Sequence, residues 1–210
     1  ETGVDHARGD VIVFIDSDLV VTDSFLACHA SSLVRSWSER GDRLCFTYGA
    51  VVNTANFEQP TAERHKLRDL SWAYFATGNV AIDKDVLQRA GLFDTGFRLY
   101  GWEDLELGER LRQMGVELIK CPAAVGYHWH PALTLDQIPR LIQVEGERAR
   151  MGLVFFRKHP TRRVRFITPS LSLLLSPAAS PVGAAVSELR WWWCFFLCLC
   201  CFFSFFSCFR

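Results

Sequence analysis

Three short stretches carry acidic and imidazole groups at spacings that can do chemistry. Asp16-Ser17-Asp18 puts two carboxylates one residue apart, directly after the apolar run Val11 to Ile15. On a turn, such a pair can hold a hard divalent cation that also touches phosphate oxygens, because Mg2+ and Mn2+ take a few oxygen ligands plus substrate. The plainer alternative is a solvated turn or a helix cap. The stretch YGWEDLELGERL, residues 100–111, places Glu103, Asp104, Glu106 and Glu109 within seven residues. At the helical period Asp104 shares a stripe with Leu107, Leu111 and Met114, whereas Glu106 and Glu109 point away among Arg110, Arg112 and Gln113. The spacing predicts an inward Asp104, stabilised by the helix start, and solvated Glu106 and Glu109. In Gly126-Tyr127-His128-Trp129-His130, a strand puts both histidines on one face, where one or both can ligate metal. Gly78-Asn79 marks a point where backbone can approach a ligand closely.

The elements around these groups alternate. GDVIVFIDSD reads as a buried, parallel strand running into an acidic turn. TDSFLACHASSLVRSW follows as a helix, with start residues Thr22, Asp23 and Ser24 and a stripe of Leu26, His29, Ala30 and Leu33. RLCFTYGAVV is a second strand, and the polar stretch Asn53 to Arg68 reads as a loop. TGNVAI is a third strand, with Asp83 capping a helix that closes at Gly91. The next helix runs from about Trp102 to Met114 and closes at Gly115. Two strands, VELIKCP and AVGYHWH, and a long helix over about 136–158 complete an α/β pattern with both sheet faces covered.

Length and composition set the limits. The 210 residues allow one sizeable domain and an appendage. Twenty-three basic against 23 acidic side chains leave zero formal charge, so no overall field argues for nucleic-acid binding. Residues 191–210 hold seven of the 17 Phe and five of the eight Cys. The other cysteines, Cys28, Cys45 and Cys121, signal neither a disulfide framework nor a zinc site, and such sparse usage fits a cytoplasmic chain. The polar opening, ETGVDHARGD, is not a cleavable signal peptide. Three parts are expected: a domain over 1–160, a basic then Ser/Pro/Ala-rich linker over 161–190, and an apolar tail over 191–210. About nineteen apolar or small residues would cross roughly 30 Å of hydrocarbon as a helix. The tail is then a membrane anchor with Arg157 to Arg165 on the cytoplasmic, inner face. The alternative is a non-native end, since the tail lacks Gly, Ala, Val and Ile.

As a set, GDVIVFIDSD, TGNVAIDKDVLQRAGLFDTGF, GWEDLELGERLRQMG and AAVGYHWH resemble the nucleotide-sugar glycosyltransferases of family 2, especially a galactosyltransferase-like C-terminal half. The resemblance covers roughly residues 7–158. It implies a GT-A-type, Rossmann-like mixed sheet flanked by helices. It implies that Asp16 and Asp18 hold Mn2+ or Mg2+ on the donor diphosphate, with His128 completing the shell and His130 the alternative. Asp104 is then the general base and Glu103 an acceptor contact, with Gly78, Asn79 and Trp102 also at the substrate. The implied partners are a nucleoside-diphosphate sugar donor and a glycan or other hydroxyl acceptor. The family carries a first βαβ unit ahead of its D-x-D, and only fifteen residues precede Asp16. A domain lacking that unit is therefore expected.

These features predict an inverting transferase in which Asp104 deprotonates the acceptor hydroxyl. VIVFIDSDLV also fits a haloacid-dehalogenase-type phosphatase with Asp16 as nucleophile, but GWEDLELGERL has no place in that class. A catalytically dead remnant that binds only metal or a partner is the third reading.

Overall fold

In the computed structural model, residues 2–62 and 73–168 are described. The chain divides into two compact units, Glu1–Thr95 with Glu103–Ala132, and Gly96–Trp102 with Leu133–Arg210.

The first unit holds helix α1 (Thr2–His6), strands β1 (Val11–Ile15) and β2 (Leu19–Val21), helix α2 (Phe25–Arg40), strands β3 (Cys45–Thr54) and β4 (Asn79–Asp83), helices α3 (Lys84–Arg89) and α4 (Glu103–Gln113), and strand β5 (Glu117–Trp129). The five strands form one mixed sheet in the order β1-β4-β3-β5-β2. Among the described residues only β3 and β5 run parallel. The expected α/β sheet flanked by helices is present. On β4, Val80 and Ile82 face α3 and α4, joining Phe46, Val86, Leu87, Leu107 and Leu111 in the main core. Ala81 faces the other side, where it packs with Leu33 of α2 and Cys45.

Three expectations change. β1 is neither parallel nor deeply buried: it pairs antiparallel with β4 at the sheet edge, and only Ile12 of its five residues is buried. An unbroken apolar run marks a strand but fixes neither its direction nor its depth. The two C-terminal strands are a single thirteen-residue strand. Its register against β3 jumps from Cys121↔Gly49 to Val125↔Ala50, so Pro122, Ala123 and Ala124 bulge out of the ladder. Proline has no N–H to give a ladder, which is why the sequence looked broken there. On α2 the buried stripe is Phe25, His29, Leu33 and Ser36, and Leu26 and Ala30 are exposed. Burying the larger ring of Phe25 turns the helix by about one position. The helix ends at Gly41, whose φ of 74° places it in the left-handed region and whose N–H bonds Trp37 O.

The second unit holds the segment Gly96–Trp102, a 3-10 turn at Leu135–Gln137, helix α5 (Ile138–Lys158) and helix α6 (Arg162–Ile167). Thr134 and Gln137 form a capping box ahead of α5. Trp102 is fastened here: its indole N–H donates to Arg148 O at 2.7 Å and its ring stacks on Phe155 with centroids 5.9 Å apart. These contacts hold Trp102 at φ 77°, a left-handed conformation that costs a non-glycine residue about 1–3 kcal/mol. α6 falls in the stretch read as linker, whose remainder, with the whole apolar tail, lies outside the described residues. Among the described residues, no helix is long and apolar enough to cross a membrane.

Candidate metal and acid-base site

The Asp16 turn is closed by Leu19 N–H donating to Asp16 O at 3.2 Å, and β2 then pairs with the end of β5 in the register Leu19↔His128. That ladder brings Asp18 to His128. Gly126 permits it, since a Cβ there would lie 2.5 Å from Leu19 Cδ2. His128 Nε2 stands 3.0 Å from Asp18 Oδ1 and 3.8 Å from Asp16 Oδ2. One ligand atom from each of the three residues lies within 4.8 Å of the others. Both aspartate side chains are 44% exposed, so room remains beside them for ligands not supplied by protein. Two carboxylates and an imidazole form a donor set for a small divalent cation. His130 Nε2 lies 3.0 Å from His128 Nδ1, which is how outer partners orient a ligating imidazole.

Gly78 approaches the same turn: a Cβ there would sit 2.9 Å from Asp16 Oδ2. Asn79 does not reach a ligand. It is 0% exposed, its Oδ1 accepts from His29 Nε2 at 2.8 Å, and its Nδ2 donates to Ala50 O and Ala124 O. His29 Nδ1 in turn meets Thr47 Oγ1 at 2.7 Å. Burial holds the His29 pKa below its usual value, against the Asn79 bond that raises it. The network ties α2, β3, β4 and the β5 bulge together, and Gly49 leaves it space, since a Cβ there would fall 2.3 Å from the Asn79 amide. A ligand contact at Asn79 is thus replaced by a structural role. No spacing rule pairs residues 29, 47 and 79, so the sequence held no signal for it.

Asp104 and Glu103 open α4. Asp104 Oδ1 accepts from Leu105 N–H at 2.8 Å. Burial, then the neighbouring Glu103 charge, push the Asp104 pKa up to about 6, against backbone hydrogen bonds from Leu105, Thr77 and its own amide. Glu103 Oε2 is buried with no hydrogen-bond partner among the described residues. Glu103 and Asp16 line one cavity of about 360 Å³, together with Phe14, Ile15, Thr77 and Phe93. A hollow of about 450 Å³ between Arg43, Asp83, Asp85, Gln88 and Arg89 lies at the opposite end of β4 and contains none of these groups.

Glu106 and Glu109 correct the sequence reading. They are 2% and 1% exposed, not solvated. Glu106 pairs with Arg110 at 2.7 Å and Glu109 with Arg112 at 2.9 Å. Arg110 also donates to Ala90 O and Leu92 O, bracing the end of α3. α4 is covered on a second side, where Phe75 crosses Gly108 so closely that a Cβ there would lie 2.9 Å from Phe75 Cβ. One-sided helical periodicity does not foresee a second cover.

No family model matches the chain. Among solved structures, GalNAc-T7 with UDP, GalNAc and Mn2+ superposes at TM-score 0.46 and 17% identity, over 62% of this chain and 29% of that one. Sequence relatives are nearer. The uncharacterized glycosyltransferase YfnE of Bacillus subtilis (strain 168) is 40% identical over 163 residues, covering 53% of this chain and 42% of its own. The hyaluronan synthase of Pasteurella multocida is 38% identical over 69 residues, 33% of this chain and 7% of that protein. The chondroitin synthase of Escherichia coli is 39% identical over 66 residues, 31% of this chain and 10% of that protein.

By ancestry the chain is related to glycosyltransferases. It spans less than half the length of each of these relatives. None of the three relatives named is a phosphatase.

Proposed function

We propose that this glycosyltransferase performs inverting, metal-dependent transfer of a sugar from a nucleoside-diphosphate sugar to the hydroxyl of a glycan or similar acceptor. The observation that carries the reading is the cavity bordered by both Asp16 and Glu103, with Glu103 Oε2 left without a partner among the described residues. A buried carboxylate oxygen without a donor costs about 1–3 kcal/mol, and an acceptor hydroxyl would relieve it.

Asp104 takes the proton of the acceptor hydroxyl, and its raised pKa suits it to that task near neutral pH. The acceptor oxygen attacks the anomeric carbon, and the bond to the diphosphate breaks with its electron pair going to the phosphate oxygen. Asp16, Asp18 and His128 would hold the cation, with His130 behind His128. When bound, a divalent ion there would neutralise charge on the departing diphosphate. The imidazole in the donor set favours Mn2+ over Mg2+, which prefers oxygen alone.

The test measures sugar transfer and Mn2+ affinity in parallel. Asp104→Asn should cut transfer by about 10² to 10⁴ and leave Mn2+ binding intact, whereas Asp18→Ala should lose both. Metal binding without any donor-dependent turnover in the unaltered chain would leave a remnant that binds metal and would overturn the enzymatic reading.

A further inference from the structure

Charge is segregated within the second unit. The chain has equal numbers of acidic and basic side chains, yet from Arg148 to Thr168 there are seven Arg or Lys and no Asp or Glu. Five of the seven, Arg157, Lys158, Arg162, Arg163 and Arg165, cluster at the end of α5 and on α6. Thr161 caps α6 by accepting from Val164 N–H at 3.1 Å, and Val164 is the residue the helix buries. With Val164 inward, Arg162, Arg165 and Phe166 share the outward face at i, i+3 and i+4 spacing. All three are exposed, and Phe166 is 75% exposed.

We propose that this face, with Arg157 and Lys158 beside it, binds the surface of an anionic phospholipid bilayer. The arginines meet lipid phosphates, for which the guanidinium fork is suited, and the Phe166 ring enters the boundary between headgroups and acyl chains. Two observations favour a bilayer over other polyanions. A strongly exposed phenylalanine beside arginines has no role on a duplex backbone but is stabilised in a lipid interface. The arginines also stand on the outside of a short helix, not in a groove that would follow a nucleic-acid strand. None of these residues is among the metal and acid-base residues, so the proposal stands or falls independently of the proposed transfer reaction.

The full chain is sedimented with vesicles of phosphatidylcholine alone and with vesicles containing about a third phosphatidylglycerol. Binding to neutral vesicles, whatever part of the chain causes it, is the baseline. The expected result is stronger binding to anionic vesicles that falls as salt is raised. At about fivefold per arginine, Arg162→Ala with Arg165→Ala should weaken anionic binding about 25-fold and leave the neutral baseline alone. Phe166→Ser should weaken it with an unchanged salt slope. A melting curve checks that each variant folds, and the salt dependence of the unaltered chain needs no variant. Equal binding to both vesicle types overturns the proposal. So does loss of duplex DNA or heparin binding in the double variant with vesicle binding unaltered.

Discussion

Asp104 sits where two demands conflict. Its carboxyl, pushed up to about 6, is costly to ionise in the folded chain, and ionised is the form a base needs. Between the ordinary carboxylate range and 6 the folded protein binds the proton that the unfolded chain has released, so this residue lowers stability as pH rises through that window. Asp104→Asn should therefore raise the melting temperature at pH 7.5 more than at pH 4, while cutting transfer by about 10² to 10⁴. Calorimetry at the two pH values and a donor-consumption assay check both halves. Transfer by the unaltered chain should rise with pH through about 6. At the metal residues, Asp16→Ala, Asp18→Ala and His128→Ala each remove a donor atom that lies within 4.8 Å of the others. His130→Ala removes the support of His128 Nδ1, a loss that typically costs about 10- to 100-fold in metal affinity. Calorimetric Mn2+ titration should rank it below the other three. A His130 effect exceeding that of His128 would exchange their roles.

Between elements, Asn79 joins the centre of the sheet to its neighbours, because a single amide serves α2, β3 and the β5 bulge. Asn79→Ala leaves the His29 N–H and two carbonyls without their partner. At about 1–3 kcal/mol for each unpaired buried group, partly relieved by relaxation, the loss should be about 2–4 kcal/mol in urea unfolding. Unchanged stability with weakened donor binding would instead restore a ligand role to Asn79. Gly126→Val tests the placement of β2: the added side chain collides with Leu19, so β2 should shift and Mn2+ affinity should fall although no ligand atom is removed.

Across the whole molecule, β1 lies at the sheet edge with Ile15 49% exposed. Exposed apolar edge strands are sites of association, and a chain with a pI near 7.2 has little net charge to oppose it at neutral pH. Light scattering should be greatest near pH 7 and fall towards pH 9. Ile15→Lys, a charge placed on the edge, should lower scattering at pH 7 without lowering the melting temperature.

By itself the sequence determined most elements and the residue types of the site. Local signals suffice there: Asp83 caps its helix through its own side chain, Gly41 and Gly115 stop theirs at positive φ, and the period of two puts His128 beside His130. Sequence relatives and motif order also agree on glycosyltransferase ancestry. Only the tertiary structure decided which partners distant residues find. The antiparallel pairing of β1, the fusion of two strands across a proline bulge, and the burial of Glu106 and Glu109 all depend on what lies across from a residue, which periodicity along the chain does not encode. The same holds for Asn79, whose polar side chain looked available until His29, Ala50 and Ala124 met it from three other elements. A buried polar group must have partners, but the chain alone does not say which.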